Sequence, residues 1–138
     1  MEKLAINGGL PVRKEKIFYG HQFVDEEDIQ AVSEVLRSDY LTCGPKVEEM
    51  EQCLAQYTGA KYAVAVSNGT AALHCACIAA GLKEGDEVIT TPLTFAASAN
   101  CILYCKATPV FADINPKTYN IDTESIKANI SGRTKAVI

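Results

Sequence analysis

The sequence predicts an α/β protein, a mostly parallel sheet covered by helices, on three observations. Apolar runs of strand length alternate with helical patterns from Tyr62 to Ile138, the order expected of parallel strands joined by helical crossovers. Two of those runs lead directly into small-residue stretches, Ser67-Asn68-Gly69-Thr70-Ala71-Ala72-Leu73 and Thr90-Thr91-Pro92-Leu93-Thr94-Phe95-Ala96-Ala97. The composition is ordinary globular usage, 48% apolar and 22% charged over 138 residues, enough for one domain with a core.

Residues 1–24 read as a polar, irregular N-terminal arm, and residues 25–138 as one continuous unit without repeat, low-complexity tract or linker. Asp25 is a helix N-cap residue, followed by an apolar face of Ile29, Val32, Val35 and Leu36. Val47, Met50, Leu54 and Tyr57 repeat the helical spacing, and Gly59 stops that second helix. The alternation then runs strand 62–66, helix near 70–80, strand 87–91, helix near 95–105, strand 109–113, short helix near 123–129 and strand 134–138.

Composition and charge narrow the function. A net charge of -4 offers no basic footprint for nucleic acid. No run reaches the roughly 18 apolar residues of a membrane span, and Met1-Glu2-Lys3-Leu4 lacks the apolar core of a signal peptide; a cytoplasmic protein is the expectation. The six cysteines include no CxxC pair, so buried free thiols account for Cys75, Cys77, Cys101 and Cys105 better than a metal site does. His21 and His74 add no ligand constellation. Without a secretory signal, the glycosylation-like triplets Asn68-Gly69-Thr70 and Asn129-Ile130-Ser131 are read as chance matches.

The two strand-to-helix junctions carry the chemistry. Gly69 and Thr70 open a helix, where backbone N–H groups are unpaired and the dipole is positive, a seat for phosphate. The simpler reading is an ordinary capped turn, since Ser, Asn and Thr favour helix starts. The second junction lies beyond the carboxyl end of the next strand and so opens onto the same crevice. Phe95 there is placed to stack on a planar ligand, although a core position is the commoner fate of a phenylalanine.

With these residues in place, the chain resembles the DegT/DnrJ/EryC1/StrS family of sugar aminotransferases, which use pyridoxal 5′-phosphate (PLP). The matching segments are Asp25 to Val32, Leu41-Thr42-Cys43-Gly44-Pro45, Ser67 to Leu73, Gly85-Asp86-Glu87-Val88-Ile89, Thr91 to Ala97, Pro109-Val110-Phe111-Ala112-Asp113 and Thr134 to Ile138. In detail it looks like the branch making UDP-4-amino-4,6-dideoxy-N-acetyl-β-L-altrosamine, a pseudaminic acid precursor. The resemblance implies the N-terminal part of the type I PLP-dependent aminotransferase large domain, whose seven strands lie in the order 3-2-4-5-6-7-1. It implies that Gly69 and Thr70 hold the PLP phosphate and Phe95 stacks on the pyridine. Gly69, Tyr19, Asp39, Tyr40, Leu41 and Thr42 match positions contacting a nucleotide-sugar substrate. From the residues alone, Tyr19 could equally staple the arm to the body, and 41–45 could be only a turn.

The resemblance further implies an amino-acid donor, usually L-glutamate, and a homodimer with active sites near its interface. The family lysine that binds the cofactor covalently is expected beyond Ile138, so the chain reads as an N-terminal fragment, inactive alone and exposing unpaired sheet edges. Two other classes compete: a regulatory PLP-binding relative, distinguished by loss of that lysine, and an unrelated nucleotide-binding module, disfavoured because no GxGxxG follows a strand.

Overall fold

The computed structural model describes residues 3–138; Met1 and Glu2 of the predicted arm lie outside the described residues. The arm holds a single 3-10 turn at Ala5–Asn7, and Phe18 and Tyr19 are exposed in its irregular remainder. Helix α1 (Glu26–Arg37) starts where Asp25 predicts: its carboxylate accepts from the N–H groups of Glu27 and Asp28, and the Asp28 side chain accepts from the Asp25 N–H, a reciprocal capping box. Helix α2 (Pro45–Thr58) begins with Pro at a first-turn position, where the missing N–H costs nothing, and ends at Gly59 with φ +72°.

Three strands form one parallel sheet in the order β2-β1-β3: β1 (Glu87–Thr90), β2 (Thr108–Phe111) and β3 (Thr134–Val137). Helices α4 (Ala97–Tyr104) and α5 (Thr123–Asn129) make the crossovers. Central β1 is buried along its whole length, as a strand covered on both faces must be. Helix α3 (Gly69–Ala79) packs on α4, and α4 on β1 and β2. The core gathers Cys77, Leu82, Val88, Cys101, Ile102 and Ala107. With the run at 62–66 counted as the first strand, this order is the 3-2-4 portion of the order that the resemblance implies.

Two expectations are corrected. Residues 62–66 form no strand: a strand requires a ladder partner, and the one hydrogen bond here is from the Ala65 N–H to Glu51 Oε1 at 2.7 Å. Burial nevertheless alternates, with Ala63 and Ala65 half-buried and their neighbours exposed, so the pattern is a strand's while the pairing is missing among the described residues. Cys75 is exposed, whereas Cys77 and Cys101 are buried; all six thiols are free. Residues two apart on a helix point to nearly opposite sides, so Cys75 and Cys77 could not both face the core. Burial, joined by thiol hydrogen bonding with Cys101, pushes the Cys77 thiol up to about 12, an unreactive packing group.

Candidate functional site at the α3 and α4 helix starts

Parallel pairing sends the carboxyl ends of β1, β2 and β3 to one edge of the sheet, and the β1 end runs directly into the turn carrying Phe95. A cleft of about 530 Å³ lies between the first turns of α3 and α4, lined by Gly69, Ala72, Leu73, Ala76, Phe95, Ala97 and Ser98. Gly69 of the predicted phosphate seat and the predicted stacking ring therefore line one space, whereas Thr70 is not part of its lining. Phe95 is 76% exposed and takes no part in the core of the described residues.

The start of α3 is built for an acceptor. Asn68 is the N-cap, and its Oδ1 accepts from the Ala71 N–H at 2.9 Å; the Ala72 N–H bonds the Asn68 carbonyl at 3.1 Å. That leaves the N–H groups of Gly69 and Thr70 without an acceptor among the described residues. No acidic side chain stands in the first turn of α3, so nothing there competes with an anion for the helix dipole. Gly69 has ordinary backbone angles, and a Cβ added there would meet no protein atom within 4 Å. Neither backbone strain nor packing requires this glycine, and the space that a side chain would enter there is open. A phosphate-bearing planar group fits this arrangement, with Gly69 and Thr70 as donors at one end and the Phe95 ring as an apolar face.

Other sequence-predicted residues lie elsewhere. Tyr40 and Leu41 line a separate groove of about 310 Å³ beside Gly44, Pro45 and Val47, whereas Asp39 and Thr42 line neither space. Tyr19 stands free in the arm, fully exposed. Sequence reasoning singled out Gly69 and Phe95 but missed Ser98, Ala72 and Ala76. The signal was present: Gly69, Ala72, Leu73 and Ala76 fall at helical i, i+3, i+4, i+7 spacing, a stripe of one face. At the end of β1, Thr90 Oγ1 is buried with no hydrogen-bond partner among the described residues.

The DegT/DnrJ/EryC1/StrS aminotransferase family model matches residues 22–138. The chain belongs to that family. It is 50% identical over 120 residues to the spore coat polysaccharide biosynthesis protein SpsC of Bacillus subtilis (strain 168), covering 87% of this chain and 31% of that protein. It is 48% identical over 95 residues to GDP-perosamine synthase of Caulobacter vibrioides, covering 69% of this chain and 26% of that one. Among solved structures, the PLP-form of Spr1654 from Streptococcus pneumoniae superposes with a TM-score of 0.84 at 33% identity, over 89% of this chain and 31% of that one. PseC of Helicobacter pylori, an aminotransferase involved in pseudoaminic acid biosynthesis, gives 0.80 at 35% identity, over 89% and 33%. The chain thus spans about a third of the length of the relatives it matches. Among the described residues, no helix is long and apolar enough to cross a membrane.

Proposed function

We propose that this chain is the cofactor-seating part of a PLP-dependent aminotransferase that moves an amino group from an amino acid, L-glutamate in the first instance, to a keto group of a nucleotide-linked deoxysugar. The observation that carries it is the single cleft in which the free Gly69 N–H and the exposed Phe95 ring meet. Solved PLP and PMP forms of Spr1654, similar to this chain at 33–34% identity, support the choice of cofactor. Bound PLP supplies an electron sink for deprotonation of the amino donor.

The residues of this chain bind and orient. Gly69 and Thr70 donate to the phosphate, Phe95 covers one ring face, and the alanine stripe of α3 keeps the floor apolar. No lysine, histidine or carboxylate lines the cleft, and the covalent lysine that the family resemblance implies matches none of the lysines of this chain, so these residues bind and orient and move no proton. Substrate contact by Tyr19 and by Asp39, Tyr40, Leu41 and Thr42, and assembly as a homodimer, belong to the same proposal. So does a role in surface-glycan biosynthesis: similarity to PseC supports a pseudaminic acid precursor as product, whereas similarity to GDP-perosamine synthase supports a GDP-linked sugar.

The test incubates the full-length protein and PLP with L-glutamate and either a UDP-linked or a GDP-linked 4-keto-6-deoxy sugar, following 2-oxoglutarate and the amino sugar by mass spectrometry. Amino-sugar formation with one of them is the expected result. PLP binding without turnover of any keto-sugar would favour the regulatory relative.

A further inference from the structure

The turn that presents Phe95 is closed in an unusual way for a helix start. Ala96, the N-cap of α4, has no side chain with which to cap. Instead, Ser98 closes the turn twice: its N–H donates to the Phe95 carbonyl at 3.0 Å, and its Oγ lies 2.9 Å from the Thr94 Oγ1, one hydroxyl donating to the other. Thr94 and Phe95 are thereby both tied to Ser98 in the first turn of α4, while Phe95 keeps most of its surface exposed. Ser98 lines the cleft, whereas Thr94 does not.

We infer that the Thr94–Ser98 hydroxyl pair is a positioning clamp, fixing the backbone of Phe95 and with it the angle at which the ring meets a planar ligand in the α3/α4 cleft. A ring held only by its own side-chain torsions must be ordered when the ligand binds; a ring on a clamped turn has lost part of that freedom beforehand. The inference rests on the reading of the cleft as a PLP site with Phe95 stacked on the cofactor. It assigns Thr94 and Ser98 a role that acts through Phe95 and touches no reacting atom.

The experiment is a double-mutant cycle in the full-length protein, read by PLP titration of the visible absorbance and by the induced circular dichroism of the bound cofactor. Phe95→Leu should weaken PLP binding about two- to tenfold, the worth of one aromatic contact. Thr94→Val and Ser98→Ala should each weaken it by a smaller factor and alter the induced dichroism, and Ser98→Thr, which keeps the hydroxyl, should restore both. In the Phe95→Leu background neither clamp variant should add a loss. An unchanged affinity for Phe95→Leu overturns the stacking reading itself and the clamp with it. A loss for Phe95→Leu with none for Thr94→Val and Ser98→Ala overturns the clamp alone. A Ser98→Ala loss that persists in the Phe95→Leu background, or that Thr94→Val does not share, makes Ser98 a direct ligand contact and also overturns the clamp.

Discussion

The two halves of this chain carry different helices with opposite outcomes: α1 is amphipathic and open to solvent, whereas α3 and α4 are apolar overall and packed together. In the second half, α3 packs on α4 and α4 on β1 and β2, and Val88, Ile89, Cys101 and Ile102 lose all solvent contact. In the first half, α1 and α2 form with good caps, yet Ile29, Val32 and Leu36 remain 50–66% exposed and neither helix packs extensively on another element. Local signals suffice to make a helix, whereas its burial depends on a partner surface. The difference separates what a segment can do by itself from what it needs another surface to complete.

The largest expected effect tests that contrast directly. Ile102→Ala opens a cavity in the closed core and should cost about 2–5 kcal/mol of unfolding free energy in urea. Leu36→Ala, on the exposed face of α1, should stay within about 0.5 kcal/mol in the same polypeptide. Equal losses would mean that the α1 face is covered in solution, and the contrast between the halves would disappear.

The same division governs what was legible in the sequence. Asp25 and Gly59 bound their helices through contacts a few residues long and act as read, whereas Pro45, read only as part of a turn, opens α2. The run at 62–66 was misread because its alternation is local but its ladder would be remote. The order of the sheet was not derivable from periodicity; it came from the family resemblance, and the three described strands follow it. For the cleft, the rule that ligands sit beyond strand carboxyl ends puts Gly69 and Phe95 on one crevice, and both line the space between α3 and α4 although 62–66 is no strand. Ser98 escaped notice because its hydroxyl looks like that of any helix-start serine until the Thr94 contact is seen.

A second prediction sharpens the comparison at the cleft, where the well-packed half leaves deliberate space. Because a Cβ at Gly69 meets no protein atom, Gly69→Val in the full-length protein should fold with little loss while its side chain intrudes above the free N–H groups. PLP affinity should fall by an amount comparable to one or two charge-assisted hydrogen bonds, roughly 1.5–3 kcal/mol each. Titration by visible absorbance measures it, with circular dichroism reporting the fold. Unchanged affinity in a folded variant moves the phosphate to another seat.

The smallest effect concerns how the packed half is fastened at the end of the sheet away from the cleft. Glu87, at the start of β1, accepts from the Ser131 hydroxyl and from the Arg133 guanidinium, whose Nε lies 2.9 Å from its Oε1, tying β1 to the turn before β3. These partners, Ser131 first and Arg133 next, hold the Glu87 carboxyl below its ordinary value despite the opposing effect of burial. A carboxyl whose folded value is depressed contributes stability that is present above the unfolded value, about 4.3. That contribution is lost as pH falls through the lower folded value. Urea unfolding of the full-length protein should therefore show a stability decline below about pH 4.3 that is shallower in Glu87→Gln. The two proteins should run parallel from about one unit above that value up to neutrality, where the wild-type carboxyl is ionised in both folded and unfolded states. Identical slopes in acid would show that the Glu87 contacts do not persist in solution, and β1 would then be held at that end by its ladder alone.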